Sequence, residues 1–176
     1  MNFRKKFTVL VIMCMFNFIG CKTIPDNAYA IRPFDKVRYL GKWYEIARFD
    51  FKFEKNLIYT TADYTLNSNG SIKVVNRGYN TVSNEWKQIA GKAKFVGADS
   101  IAMLKVSFFG PFYGGYNVIA IDPDYKYSLV CGNNLDYLWI LSREKYIPEE
   151  IKSKYLDIAK GIGFDTGRLL WIKQEE

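Results

Sequence analysis

From residue 41 to residue 143 the chain breaks into short segments of alternating apolar and polar residues with turn chemistry between them, and that rhythm admits a β-sandwich or a β-barrel and little else. Eight segments read as strands: 41–49, 58–66, 72–79, 86–96, 101–108, 116–122, 125–131 and 137–143. Asn69-Gly70 marks a hairpin between the second and third, because a two-residue turn needs positive φ at both central positions and this pair tolerates it. Residues 148–162 then read as a helix, with Ile147, Ile151, Tyr155, Ile158 and Ile162 on one face and Lys152, Lys154, Asp157 and Lys160 elsewhere. Pro148 suits its first turn, Gly161 and Gly163 its end. Leu169-Leu170-Trp171-Ile172 reads as a short last strand. A chain of 176 residues, 49% hydrophobic, has enough apolar surface for one domain around a substantial core.

Aromatic residues make up 17% of the chain, a share that suits a strand-rich core or a cavity lined with rings. Histidine is absent. The usual general base, the commonest metal ligand and the Ser-His and Cys-His pairs go with it, and there is neither a G-x-S-x-G elbow nor a metal-ligand cluster. The expectation is therefore a binding protein, not an enzyme, with no cofactor and no metal. The formal charge is +7, but Arg4, Lys5 and Lys6 belong to a segment expected to be removed, which leaves 22 basic against 18 acidic residues, +4. Those charges are scattered rather than gathered in a stripe, so no nucleic-acid partner is expected.

Residues 2–6 are basic and 7–19 largely apolar, a run shorter than the roughly 20 residues of a membrane span, so 1–20 reads as a secretory signal. Phe18-Ile19-Gly20-Cys21 resembles the bacterial lipobox, in which a small residue precedes a cysteine that is acylated and becomes the mature N-terminus. The lipid attachment site is thus expected at Cys21. Residues 21–36, with Thr23, Pro25, Asp26, Asn27 and Pro33, read as a lipidated polar tether, and 37–176 as the folded domain. Cys131 is left without a partner at a strand end and reads as a small buried hydrophobe.

Gly41-Lys42-Trp43-Tyr44 opens the first strand, Asp122-Pro123-Asp124-Tyr125 forms a strand-to-strand turn, and Leu141-Ser142-Arg143 closes the last. An indole buries a large apolar face, and a guanidinium across it gains cation–π attraction. These three patches in this order resemble those of the lipocalins. The resemblance implies an all-β, eight-stranded antiparallel up-and-down barrel with one C-terminal α-helix and a short final strand, whose closed end is formed by Gly41, Trp43 and Arg143. Leu40 to Phe49, Val106 to Ala120 and Leu129 to Gly132 are similar, more narrowly, to the outer-membrane lipoprotein members of that family. They imply carriage of a fatty acid or a phospholipid, lysophospholipids included, by a protein anchored at the periplasmic face of a Gram-negative outer membrane.

In an up-and-down barrel successive loops alternate between ends, so the mouth is built opposite Trp43, by the loops after the first, third, fifth and seventh strands. Two of these are rich in rings: Phe49 to Phe53 and Phe109 to Gly115. Phe51, Phe53, Phe112 and Tyr113 are expected at the mouth with Lys52 and Lys55, as a surface for lipid, for ligand or for contact between copies of the chain. Period-two counting places Tyr64 on the second strand, Val74 and Asn76 on the third, and Phe95 on the fourth inside the barrel. Leu104, Val106 and Phe108 follow on the fifth strand, Tyr116, Val118 and Ala120 on the sixth, and Tyr137 and Trp139 on the eighth. The same count puts Glu45 on the face of Trp43, which calls either for a bulge that turns it out or for partners that hold a buried carboxylate. A barrel packed solid would instead make the chain a structural or adhesive envelope lipoprotein.

Overall fold

The computed structural model describes residues 22–174; the leader and Cys21 lie outside the described residues. Its strands are β1 (Gly41–Phe49), β2 (Leu57–Leu66), β3 (Ile72–Asn80), β4 (Glu85–Phe95), β5 (Met103–Phe109), β6 (Phe112–Ile121), β7 (Tyr127–Cys131), β8 (Leu138–Ser142) and β9 (Leu169–Trp171). Each of the first eight pairs antiparallel with its sequence neighbour, and β8 returns to β1, which also meets β2, so the sheet closes as an up-and-down barrel. Helix α1 (Lys36–Tyr39) precedes the barrel and α2 (Glu149–Ile162) follows it.

Strand alternation sorts the side chains into two cores. One lies inside the barrel and includes Trp43, Tyr64, Val74, Leu104, Val118, Val130 and Leu141. The other lies between the wall and α2, where Ala47, Phe49, Leu129, Leu138 and Ile140 meet Tyr155 and Ala159. The hydroxyl of Tyr155 donates to the carbonyl of Tyr127 at 2.8 Å, which satisfies the polar end of this buried ring. Gly163 ends the helix at φ +114, its N–H reaching the carbonyls of Ala159 and Lys160.

Bulges modify the simple alternation. In β1 the register shifts between Glu45 and Ala47, so Glu45 stays inside and Arg48 also turns inside. In β6 it shifts between Val118 and Ala120, and Ala120, expected to line the interior, packs against the α2 side instead. The Asn69-Gly70 hairpin also differs from expectation. Only Gly70 has positive φ, the N–H of Gly70 bonds the carbonyl of Asn67, and that of Asn67 bonds the carbonyl of Ser71. That is the three-residue loop with a left-handed glycine, whose twist suits the strands as well as the two-residue form does.

The segment expected to be a polar tether is fastened to the barrel wall. The amide of Asn117 donates to the carbonyl of Thr23 at 2.8 Å. Further along, the N–H of Ile31 bonds Val118, that of Ala102 bonds Ile31, and that of Phe34 bonds Ser100. Ala28 is buried with Ile24 against the outer core, whereas Phe34 is buried in the inner one, with Ile31 packed against it. An apolar residue every three or four positions, at Ile24, Ala28, Ile31 and Phe34, gives this stretch something to bury, which a free linker lacks.

The other terminus closes a seam. β1 and β2 pair only from Gly41 to Tyr44, against Tyr64 to Thr61. Toward the mouth they part, and β9 with its extension fills the gap. The N–H of Ile172 bonds Ile46, that of Tyr59 bonds Lys173, and the amide of Gln174 donates to the carbonyls of Glu45 and Thr60 at 2.6 and 3.2 Å.

Candidate functional site

The barrel interior is built upward from its closed end. Trp43 is wholly buried there and its indole N–H donates to the carbonyl of Tyr39 at 2.8 Å. The Arg143 guanidinium lies 3.8 Å from the indole centroid and donates to the carbonyls of Lys42, Leu40 and Arg38 at 2.6, 2.8 and 2.9 Å. Gly41 sits at φ +88, a backbone region that side chains rarely tolerate, and so lets the chain turn from α1 into β1. The three residues assigned to the closed end are thus brought together.

Above them three phenols form a floor. The hydroxyl of Tyr116 lies 2.7 Å from that of Tyr39 and 2.8 Å from that of Tyr64, with Ser128 3.4 Å from Tyr39. β2 and β6 face one another across an eight-stranded ring, so the Tyr64–Tyr116 contact is a crossbar that separates the packed bottom from the space above. Burial pushes Tyr39 up to about 12 and raises Tyr64 and Tyr116 well above the ordinary phenol value, so all three are neutral hydroxyls at any physiological pH. Tyr39 escaped the strand count because it comes from a helix of a single turn, capped by Asp35 through the N–H groups of Val37 and Arg38.

Above the floor the lining is less completely buried. Tyr64, Val74, Leu104 and Val118 are buried at the base, whereas Phe95, Val106, Phe108, Tyr116 and Trp139 pack against that core and keep part of their surface exposed, as does Asn76. Tyr137 stacks on Trp139 at 6.1 Å nearer the mouth, and Phe51 folds in edge-on over both rings at 5.7 and 5.6 Å. Phe51 is therefore a half-buried cover over the lumen, while Phe53 and Phe112 are exposed at 72% and 79% and Tyr113 is exposed beside them.

One charged cluster enters this apolar setting. Arg48, only 2% exposed, donates to Glu45 at 2.6 Å and to the carbonyls of Glu54 and Leu57, with the Glu54 carboxylate 3.5 Å from its Nε. Thr60 also donates to Glu45, at 3.0 Å, and the Trp139 indole N–H to Glu54, at 3.4 Å. Burial raises both carboxyls above their usual range. The neighbouring Glu45 charge pushes Glu54 up further, because two carboxylates facing one guanidinium cannot both ionise cheaply. Of the two readings of Glu45, the held carboxylate is the one realised. Arg48 and Glu54 were not legible: the bulge inverts parity after Glu45, and Glu54 lies in a loop, where no period applies.

Cys131 is fully buried, and burial pushes its thiol up to about 12, so it packs as a small apolar side chain. Among the described residues no group of ionisable side chains is placed to hold a metal ion, and no helix is long and apolar enough to cross a membrane.

Comparison with known proteins bears on the same residues. A lipocalin-like domain model matches residues 34–174. The chain is 50% identical over 168 residues to the outer membrane lipoprotein Blc of Citrobacter freundii, covering 94% of this chain and 95% of that one. It is 37% identical over 166 residues to apolipoprotein D of Cavia porcellus, covering 88% and 82%. Among solved structures, insecticyanin of the tobacco hornworm Manduca sexta superposes with a TM-score of 0.69 at 18% identity, covering 87% of each chain, a likeness of fold alone.

Proposed function

The chain belongs to the lipocalin family, and from that premise we propose that it is a lipid-anchored outer-membrane protein, facing the periplasm, that binds fatty acids or (lyso)phospholipids and carries or stores them for membrane maintenance. The observation that supports this most directly is the apolar lining above the tyrosine floor and below Phe51, where Phe95, Val106, Phe108 and Trp139 face inward yet keep part of their surface exposed. It favours a ligand carrier over a solid structural barrel. The anchor is the acylated Cys21: each buried methylene adds about 0.8 kcal/mol, so several chains together hold a domain on a membrane where one would not.

The ligand lies tail inward. Burial of an acyl chain supplies about 25 cal/mol per Å² before ordering costs. An anionic headgroup gains nothing by following, because the guanidinium beside the lining, Arg48, is already taken up by Glu45 and Glu54. At the mouth Lys52 and Lys55 are exposed and available to a phosphate or carboxylate. Trp139 is the natural reporter. Bromine near the end of an acyl chain should quench its fluorescence more strongly than bromine beside the headgroup, measured against Trp139→Phe. Equal quenching from both positions, or none at saturating lipid, would reject the tail-inward arrangement.

A further inference from the structure

The stretch that would let the domain hang at any angle from its anchor is instead fastened to the barrel wall from Thr23 onward. Thr23 is held by Asn117 at a point where the same amide also reaches the carbonyl of Gly132 at 3.0 Å. A Cβ built on Gly115 would stand 2.8 Å from the Thr23 carbonyl and 2.9 Å from the N–H nitrogen of Asn133, so chain and loop are in contact there. Gly132 and Asn133 begin the loop between β7 and β8, one of the four that ring the mouth. From Thr23 the chain runs away from this loop toward the closed end, reaching Ser100 at Phe34. Cys21 is two residues before Thr23, and two residues span at most about 7 Å.

The surface beside that point is apolar. Phe53 from the β1–β2 loop and Phe109 at the end of β5 meet with ring centroids 5.7 Å apart, making one patch that Phe112 and Tyr113 at the start of β6 extend. Leu135 is exposed on the β7–β8 loop itself. No charged residue occurs from Val106 to Ile121. In the β1–β2 loop Lys52 and Lys55 are exposed on either side of Phe53, while Glu54 between them is turned inward onto Arg48. Asp50 in the same loop and Asp136 beside Leu135 are exposed as well, but with Glu54 withdrawn the two lysines outweigh Asp50 next to the rings, and exposed rings flanked by lysines suit the interface of an anionic bilayer.

We propose that the barrel docks mouth-down on the membrane that holds its anchor, with Phe53, Phe109, Phe112, Tyr113 and Leu135 in the headgroup layer, so that ligand passes between bilayer and lumen without crossing water. The proposal rests on the reading above that Cys21 is acylated. Anchor and apolar rim then act as two linked contacts, each raising the effective concentration of the other.

The test uses the full acylated chain in anionic phospholipid vesicles and in detergent, carrying Phe112→Cys at the mouth or Ser68→Cys in the exposed β2–β3 loop of the closed end. Cys131 is buried and does not compete for a membrane-impermeant maleimide. Flotation with the vesicles is measured on the same samples. The mouth cysteine should react about tenfold more slowly in vesicles than in detergent, as expected for a side chain withdrawn into the interface, and Ser68→Cys equally in both. Adding Phe53→Asp and Phe109→Asp should restore labelling at Phe112→Cys without loss of flotation. Docking is overturned if both cysteines label freely in floated protein, or if Ser68→Cys is the protected one. Protection that appears in detergent and grows with protein concentration would assign the rim to a second copy and also overturn it. Protein that does not float refutes the anchor, and docking with it, whereas protein that floats with a freely labelled mouth refutes docking alone.

Discussion

Replacing Trp43 by alanine should cost the fold much and the ligand nothing. The indole is fully buried, and truncating a buried aromatic of this size costs about 3–5 kcal/mol. The upper half of that range is expected, because the Tyr39 carbonyl loses its indole donor and the Arg143 guanidinium loses the ring it covers at 3.8 Å. With a urea dependence of about 2 kcal/mol per M, the unfolding midpoint should fall by about 2 M. Lipid affinity, measured well below that midpoint by quenching of Trp139, should stay within about twofold, since the Tyr39–Tyr64–Tyr116 floor lies between Trp43 and the lumen and a shift that small is under 0.5 kcal/mol. Trp43→Phe, which keeps a ring but not the N–H, should fall between the two proteins. A midpoint that barely moves while lipid binding disappears would place Trp43 in the ligand site and reverse the assignment of the two ends.

Two further outcomes are expected. Because Glu45 and Glu54 both titrate above their ordinary value in the folded state, the folded protein holds more protons than the unfolded chain above the usual carboxylate range of about 4, and stability falls as pH rises through the raised values. Glu54→Gln fixes the neutral form, so its thermal midpoint should lie above that of the parent at neutral pH and converge with it in acid; curves that stay parallel across that range would refute the raised titration of Glu54. Palmitate labelling in vivo should be abolished by Cys21→Ala, and labelling that persists would mean the acylated residue lies elsewhere.

The strand order, the helix and the closed end were legible because each rests on a local or strongly patterned signal. Period two marks a wall with one apolar face, Pro148 and Gly163 punctuate α2, and Trp43 and Arg143 carry chemistry specific enough to pair across a hundred residues. Positions that depend on an extra residue in a ladder were not. A bulge costs little and leaves no mark in composition, yet it turned Ala120 outward and Arg48 inward. On β3, β4 and the start of β5 the alternation runs on, and Val74, Phe95, Leu104 and Val106 pack in the inner core; the β5–β6 pairing shifts only beyond Val106. Residues 23–34 were misjudged because prolines and polar residues outnumber the four apolar contacts that fasten them. Tyr39 and Glu54 enter the interior from a single-turn helix and a loop, where only tertiary packing sets direction.

The seam between β1 and β2 gives the chain's last described residues a part in the order of folding. Half of that seam is joined by strands encoded close together, and the other half waits for Ile172, Lys173 and Gln174. A chain emerging from its N-terminus can form every hairpin and still hold a slot in its wall, with the N–H of Tyr59 and the carbonyls of Ile46 and Thr60 unmatched beside an apolar interior. Such an edge invites pairing with other chains. Its closure joins residues more than a hundred positions apart, the kind of contact that forms late. For this barrel the hazardous interval of biogenesis ends when the final strand is laid across the slot, and any fusion placed after residue 174 acts on that step.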